Sequence, residues 1–373
     1  ITDTDALCEI LEYLNVSVRR ASESLVIDPS HMENREIPEA ISKKLRASYY
    51  FLGALLGKYR RAQMYFPGGC SIGERPINLH LKGFEALGAT VTVEGNKYIV
   101  EAEELVGAPI YLDIASVGAT INIMLASVYA KGETVIDNAA KEPEIVNVAT
   151  FLNNMGAKIT GAGTSTIHIT GVEHLNGCFT EVIPDRIEAG TYILAGSLCG
   201  NHLRIENIIP KHLESLTSKL REMGVPFSFE FDSLVISRGD HLKATNIETA
   251  VYPGFPTDLQ QPFMVLLTRA EGTSVVEENI FENRFMQVPY LQKMGANIQV
   301  NGTKAIIQGG TPLSGCEVVA TDLRAGASLV LAALSTPGEV TIIDNVEHIL
   351  RGYENIVEKL QEVGAMIELI EED

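Results

Sequence analysis

The chain has 373 residues, 46% of them hydrophobic and 21% charged, with 29 basic against 48 acidic residues and a net charge of −19. This length is more than one ordinary core accommodates and predicts two domains. The composition is globular and excludes a disordered chain, while the charge excludes a basic nucleic-acid surface and leaves room for a small anion held by a few convergent arginines.

The apolar runs are short. The longest, around Leu329–Leu334, falls well below the roughly 20 residues of a membrane span, and no secretory leader is legible. The five cysteines are Cys8, Cys70, Cys178, Cys199 and Cys316. An odd count without CxxC spacing predicts free thiols in a reducing compartment, and so a cytoplasmic protein.

In chain order, one phrase recurs: an amphipathic stretch, a Gly or Asn, then an alternating apolar run. It closes on Asn15, Gly88, Gly156, Gly224, Gly295 and Gly364, at steps of 73, 68, 68, 71 and 69 residues. The pattern reads as a helix C-terminus, where Gly, or Asn in its place, takes the left-handed conformation. Leu213–Met223 and Ile356–Val363 are predicted helices of this kind, and Ala296–Val300 a strand that follows one. The front half repeats as a Gly, a strand and an Asn turn, at Gly132–Asn138, His202–Asn207 and Gly338–Asn345.

The unit is therefore helix–strand–turn–helix–strand with further strands between units, about 70 residues long. Five units are whole, and the first shows only its back half. A helix as apolar as Ala325–Leu334 must be buried on most sides, so the units must pack on one another. Six units exceed one core and predict two groups of three, residues 1–183 and 184–373, hinged near Val182-Ile183-Pro184-Asp185. Ligands commonly bind where two such domains meet.

One unit departs from its siblings. In place of the Asn turn it carries Pro67-Gly68-Gly69-Cys70-Ser71-Ile72-Gly73-Glu74-Arg75-Pro76, a glycine-rich loop whose backbone can approach a ligand. A thiol beside Arg75 on such a loop is a candidate acid, base or nucleophile, against the alternative that Cys70 is incidental. Charge also marks the repeat starts at Arg46-Ala47-Ser48, Asp185-Arg186-Ile187-Glu188, Pro256-Thr257-Asp258 and Asp322-Leu323-Arg324. Helix capping accounts for Asp185, and extends to Asp258 and Asp322. It does not account for Arg46 and Arg324, because a cation at a helix N-terminus opposes the macrodipole unless an anion sits there. Arg351 is a third such candidate.

PGGCSIGERP, SVGAT, AKEPEIV, IPDRIEAGT, GFPTD, IFENRFM, ATDLRAGAS and RGYE together resemble the signatures of the UDP-N-acetylglucosamine enolpyruvyl transferase family across essentially the whole chain. The sister family that makes aromatic amino-acid precursors shares the fold but lacks the cysteine loop. The resemblance implies an α/β fold of two domains, each an inside-out α/β barrel of three repeated units around central helices, with the active site in the interdomain cleft. It implies transfer of the enolpyruvyl group of phosphoenolpyruvate to the sugar 3-hydroxyl, the first committed step of peptidoglycan synthesis. The small-molecule partners it implies are phosphoenolpyruvate and UDP-N-acetylglucosamine, with no cofactor, metal, nucleic acid or membrane.

By the same resemblance, Cys70 is the loop acid that also takes part in product release and is the thiol alkylated by fosfomycin. Asp258 is the candidate general base, and Asp322 a carboxylate near the reacting centre. Arg75, Arg324 and Arg351 hold phosphoenolpyruvate, for which bidentate guanidinium pairing is the physical reason. Arg46 lies near the nucleotide sugar. Arg75, Pro76, Ile77, Asn78 and Leu79, with Ser116, Val117 and Gly118, are the uridine and diphosphate contacts, and Ile280 lies at the nucleotide. The implied chemistry is addition–elimination: the deprotonated hydroxyl attacks C2 while C3 is protonated, and a tetrahedral intermediate then loses phosphate.

The chain departs from the family pattern at Asn78 and Leu350, each in place of a common Asp, and at Tyr252 in place of a common His. The family also opens with a further half-unit bearing a Lys-Asn pair. The alternative expectation is a non-catalytic nucleotide-sugar-binding or regulatory protein, and behind it a purely structural repeat protein.

Overall fold

The computed structural model describes residues 1–21, 23–66 and 77–370. Cys70, Arg75 and Pro76 lie outside the described residues, and so does the glycine-rich loop around them.

All six positions expected to stop a helix have left-handed backbone: Asn15 (φ 63°), Gly88 (97°), Gly156 (108°), Gly224 (83°), Gly295 (104°) and Gly364 (93°). The Asn turns do the same at Asn138, Asn207 and Asn345, the residue type that tolerates this region after Gly. These stops set the helix ends. The stretch expected as Leu213–Met223 is a 3-10 turn, Pro210–Leu213, continuing into the helix Glu214–Met223. The following strand lies at Asn297–Asn301.

The repeat is fuller than its sequence reading. A short strand precedes each of three core helices and pairs in parallel with the strand after it, as Glu317–Val319 does with Ile342–Asp344 across the helix Leu323–Leu334. Pro109–Tyr111 pairs with Glu133–Asp137 across the helix Val117–Ser127, and Ile247–Glu248 pairs with Thr273–Glu277 across the helix Thr257–Thr268. A parallel pair needs such a crossover. Two antiparallel strands then complete each four-stranded sheet: Thr166–Thr170 and Lys158–Thr160 in one, Lys304–Gln308 and Asn297–Asn301 in the other. The unit is thus strand–helix–strand–helix–strand–strand. The leading strand of each parallel pair was hard to foresee because it is only two or three residues long.

Apart from Ile1, the described residues form two compact units, one from Thr2 to Ile183 and the other from Pro184 onward. In the first, the helices Tyr50–Tyr59 and Val117–Ser127 lie side by side in the core with Leu52, Leu55, Leu56, Ile123 and Met124 almost fully buried. Each such side chain contributes about 1.5–3 kcal/mol by leaving water. Gly53 sets the spacing: a Cβ there would fall 2.2 Å from Asn122 Oδ1 and 2.3 Å from its carbonyl oxygen.

In the second unit the helices Arg186–Cys199, Thr257–Thr268 and Leu323–Leu334 pack against one another with strands outside them. Leu259 through Thr268 are all buried, the all-round burial that so apolar a helix requires. Pro262 within that helix has no N–H to offer the Asp258 carbonyl one turn earlier. Among the described residues, no helix is long and apolar enough to cross a membrane.

Candidate active-site clusters

The charged repeat starts of the second unit come together at one end of its three central helices. Arg186, Asp258 and Arg324 each occupy the first or second position of their helix. Asp185 and Asp322 are true N-caps. Asp185 accepts from the Ile187 and Glu188 amides, and Asp322 from those of Arg324 and Ala325.

The capping expectation fails for Asp258. The N-cap of its helix is Pro256, and the Asp258 carboxylate turns to arginines instead. Arg284 Nη2 donates to Oδ1 at 2.9 Å, and Arg324 Nη2 to Oδ2 at 3.3 Å. Burial acts to raise the Asp258 carboxyl. The charges of Arg324, Arg284 and Arg186, with the Arg284 hydrogen bond, outweigh it and hold the group down to about 2. Three guanidiniums thus gather around Asp258, with the capping carboxylates of Asp185 and Asp322 at the same helix starts.

Arg284 is buried, at 4% exposure, on the turn after strand Thr273–Glu277. Two contacts fix that turn. Gln261, three residues past Asp258, donates to the Arg284 carbonyl and to the Gln287 side chain. The buried Glu278 accepts from the amides of Ile280 and Phe281 and from the hydroxyls of Thr249 and Thr257. The same turn holds Ile280 partly exposed. Arg351 closes the short helix Glu347–Leu350, two residues before Tyr353, whose hydroxyl receives Arg324 Nη1 at 2.8 Å.

A second cluster lies in the first unit. Ser116 caps the helix Val117–Ser127 by accepting from the Ala119 amide at 3.2 Å. The amides of Val117 and Gly118 therefore stand at a helix N-terminus, where an anion is favoured. Gly118 lies close under Tyr49 and His80: a Cβ there would be 2.8 Å from the Tyr49 hydroxyl and 3.1 Å from His80 Nε2. Asn122 donates to the Tyr49 carbonyl and to His80 Nδ1, and accepts from the Gly53 amide. An accepting Nδ1 puts the proton of a neutral ring on Nε2, the nitrogen facing Gly118. Burial first, then the charge of Arg46, depress His80 to about 4. Arg46 opens the 3-10 turn Arg46–Tyr49, with its guanidinium 5.9 Å from the Tyr49 ring centre. Asn78 is exposed at the start of helix Asn78–Ala86, whereas Ile77 (4%) and Leu79 (8%) are core side chains with only backbone to offer a ligand.

The predicted site residues thus fall into two groups. Asp258, Asp322, Arg324, Arg351 and Ile280 lie in the second unit; Arg46, Ile77, Asn78, Leu79, Ser116, Val117 and Gly118 lie in the first. Sequence reasoning passed over Arg186, Arg284, Tyr353, Thr191 and His80. The first four stand inside motifs that it quoted, and Arg186 opens its helix one residue after the N-cap, where Arg324 stands two after its own.

The model of the family described as EPSP synthase (3-phosphoshikimate 1-carboxyvinyltransferase) matches residues 1–360. The UDP-N-acetylglucosamine 1-carboxyvinyltransferase 2 of Listeria monocytogenes serotype 4b is 55% identical over 98% of this chain and 86% of that protein. The protein of the same name from Geobacillus kaustophilus gives the same figures. Among solved structures, the enolpyruvyl transferase NikO of Streptomyces tendae superposes with a TM-score of 0.88 at 28% identity, covering 97% of this chain and 87% of that one. EPSP synthase from Acinetobacter baumannii shares the fold, with a TM-score of 0.72 at 20% identity over 97% of this chain and 88% of its own. The chain belongs to the EPSP synthase family of carboxyvinyl transferases, in its group of UDP-N-acetylglucosamine 1-carboxyvinyltransferases.

Proposed function

We propose that this protein transfers the enolpyruvyl group of phosphoenolpyruvate to the 3-hydroxyl of UDP-N-acetylglucosamine with release of phosphate, the first committed step of peptidoglycan synthesis, in the cytoplasm. The observation that carries the reading is the Asp258 carboxylate held between Arg284 and Arg324 where three helix starts converge. Phosphoenolpyruvate is a small polyanion, and convergent guanidinium groups are what recognise one.

In this reading Arg324 and Arg351, with Arg75, hold the phosphate and carboxylate of phosphoenolpyruvate. Asp258 removes the proton of the sugar hydroxyl. A carboxyl held near 2 is a poor base at neutral pH, since an effective base has a pKa near the working pH. Substrate binding supplies the remedy: an anion that engages Arg324 offsets the charge that depresses Asp258, and the carboxylate becomes more basic as the substrates assemble. Cys70 delivers the proton to C3. Asp322 stays with the Arg324 and Ala325 amides and fixes the helix start. The arginines then stabilise the charge that moves to the departing phosphate.

Nucleotide-sugar binding is assigned to the first unit's cluster. The helix N-terminus at Ser116, Val117 and Gly118 suits a diphosphate, with Arg46 and the Nε2–H of His80 beside it. Asn78 and the backbone of Arg75, Pro76, Ile77 and Leu79 serve the uridine, with Ile280 at the nucleotide. Residues 1–183 and 184–373 act as the two domains. The test is phosphate release measured with both substrates and with each omitted. Release that needs both supports the transferase. Binding of UDP-N-acetylglucosamine without release would instead favour a nucleotide-sugar-binding protein.

A further inference from the structure

Two buried motif residues have no part in the reaction described above, yet connect in series to Arg324: Tyr353 of RGYE, at 1% exposure, and beyond it Thr191 of IPDRIEAGT, at 3%. Arg324 Nη1 donates to the Tyr353 hydroxyl at 2.8 Å, that hydroxyl lies 3.0 Å from Thr191 Oγ1, and Thr191 Oγ1 donates to the Ile187 carbonyl at 2.8 Å. Proton counting fixes every direction. A guanidinium can only donate, so Tyr353 accepts from Arg324. A carbonyl can only accept, so the one Thr191 proton goes to Ile187. The Tyr353 proton therefore goes to Thr191.

We propose that Tyr353 and Thr191 form a positioning relay that aims the Arg324 guanidinium for anion binding. The chemical logic lies in the choice of partner. A carboxylate in place of Tyr353 would hold Arg324 equally well but would neutralise the charge that an anionic substrate needs. A phenol hydroxyl whose proton is already committed presents a lone pair and no net charge. It orients the guanidinium and leaves its charge unspent.

Close packing supports the relay. A Cβ on Gly352 would fall 2.8 Å from Leu323 Cδ2, and one on Gly326 2.5 Å from Ile349 Cγ1. Both glycines let the segment that carries Arg351 and Tyr353 lie directly on the start of the Arg324 helix. The arrangement accounts for Arg-Gly-Tyr as a unit: Arg351 for the ligand, Gly352 for close approach, Tyr353 to hold Arg324. It also ties the helix Arg186–Cys199, through Thr191, to the helix Leu323–Leu334.

The relay rests on the reading of Arg324 as a phosphoenolpyruvate ligand, so its test has two arms. In steady-state kinetics of the full chain, Tyr353→Phe removes the acceptor and raises KM for phosphoenolpyruvate by roughly tenfold or more, the value of a hydrogen bond to a charged group. KM for UDP-N-acetylglucosamine stays within about twofold, as expected of a site not touched. Thr191→Val shows the same split to a lesser degree, and Thr191→Ser restores wild-type values. Unchanged constants in Tyr353→Phe, or both constants rising together with a fall in Tm, overturn the relay.

The second arm needs no turnover. The Arg324 guanidinium signals are followed by 15N NMR and identified by their loss in Arg324→Lys. In wild type and Thr191→Ser the Nη1 protons exchange slowly with water; in Tyr353→Phe they shift and exchange faster. Signals that Tyr353→Phe leaves unchanged overturn the relay. A wild-type chain that releases no phosphate counts against the transferase reading and leaves this arm to decide the relay.

Discussion

Arg324 divides its two terminal nitrogens between Asp258, 3.3 Å from Nη2, and Tyr353, 2.8 Å from Nη1. The first partner is a charge and the second is not, so the two contacts respond differently to an anion. An incoming anion competes with Asp258 for Arg324 while Tyr353 keeps the guanidinium in place.

Asp258→Asn should lower turnover by about 10²–10⁴-fold, the range of a lost general base, with nucleotide-sugar binding retained. The same residue sets a stability signature. Its folded pKa of about 2 lies below the ordinary 3.8, so its stabilisation is present above pH 3.8 and is lost as pH falls toward 2. Denaturant unfolding of wild type and Asp258→Asn should differ at pH 6, and the difference should shrink between pH 4 and 2.

Arg284→Met should destabilise the second unit by about 1.5–3 kcal/mol, the value of a hydrogen bond to a charged group, because Asp258 loses its 2.9 Å partner and keeps Arg324 at 3.3 Å. Loss of this cation also raises the Asp258 carboxyl, so the acidic limb of the pH–rate profile should move to higher pH. Thermal unfolding and a pH–rate series check the two effects separately.

His80 gives a second pH signature, in the first unit. Its folded pKa of about 4 lies below the ordinary 6.5, so the stability of the neutral buried ring is intact above pH 6.5 and is lost as pH falls through that interval. The loss should reach about 3 kcal/mol by pH 4. His80→Asn should abolish this part of the pH dependence, as judged from unfolding midpoints at pH 7, 5.5 and 4.

Gly53→Ala should cost about 3 kcal/mol or more, because the added methyl would meet Asn122 backbone and side chain at once. Circular dichroism of the thermal transition checks this. A variant as stable as wild type would mean that the two core helices can move apart freely.

Local signals in the sequence carried the helix stops far. Each of the six predicted Gly or Asn positions is left-handed, because that preference belongs to the residue itself. Capping was legible at Asp185 and Asp322 for the same reason. Asp258 looked alike locally, but its carboxylate is claimed by Arg284, 26 positions on, and by Arg324, 66 positions on, and no local pattern reports a partner so distant. His80, Thr191 and Tyr353 were missed likewise. Each reads as an ordinary core residue until folding brings its partner beside it.

The most direct test of the transferase reading is a 31P NMR time course of the full chain with phosphoenolpyruvate and UDP-N-acetylglucosamine. The phosphoenolpyruvate signal should give way to inorganic phosphate only when the nucleotide sugar is present, with the diphosphate signals kept intact and shifted to those of a new product. A phosphoenolpyruvate signal that persists with both substrates present, or phosphate that appears without the nucleotide sugar, would contradict the transferase reading.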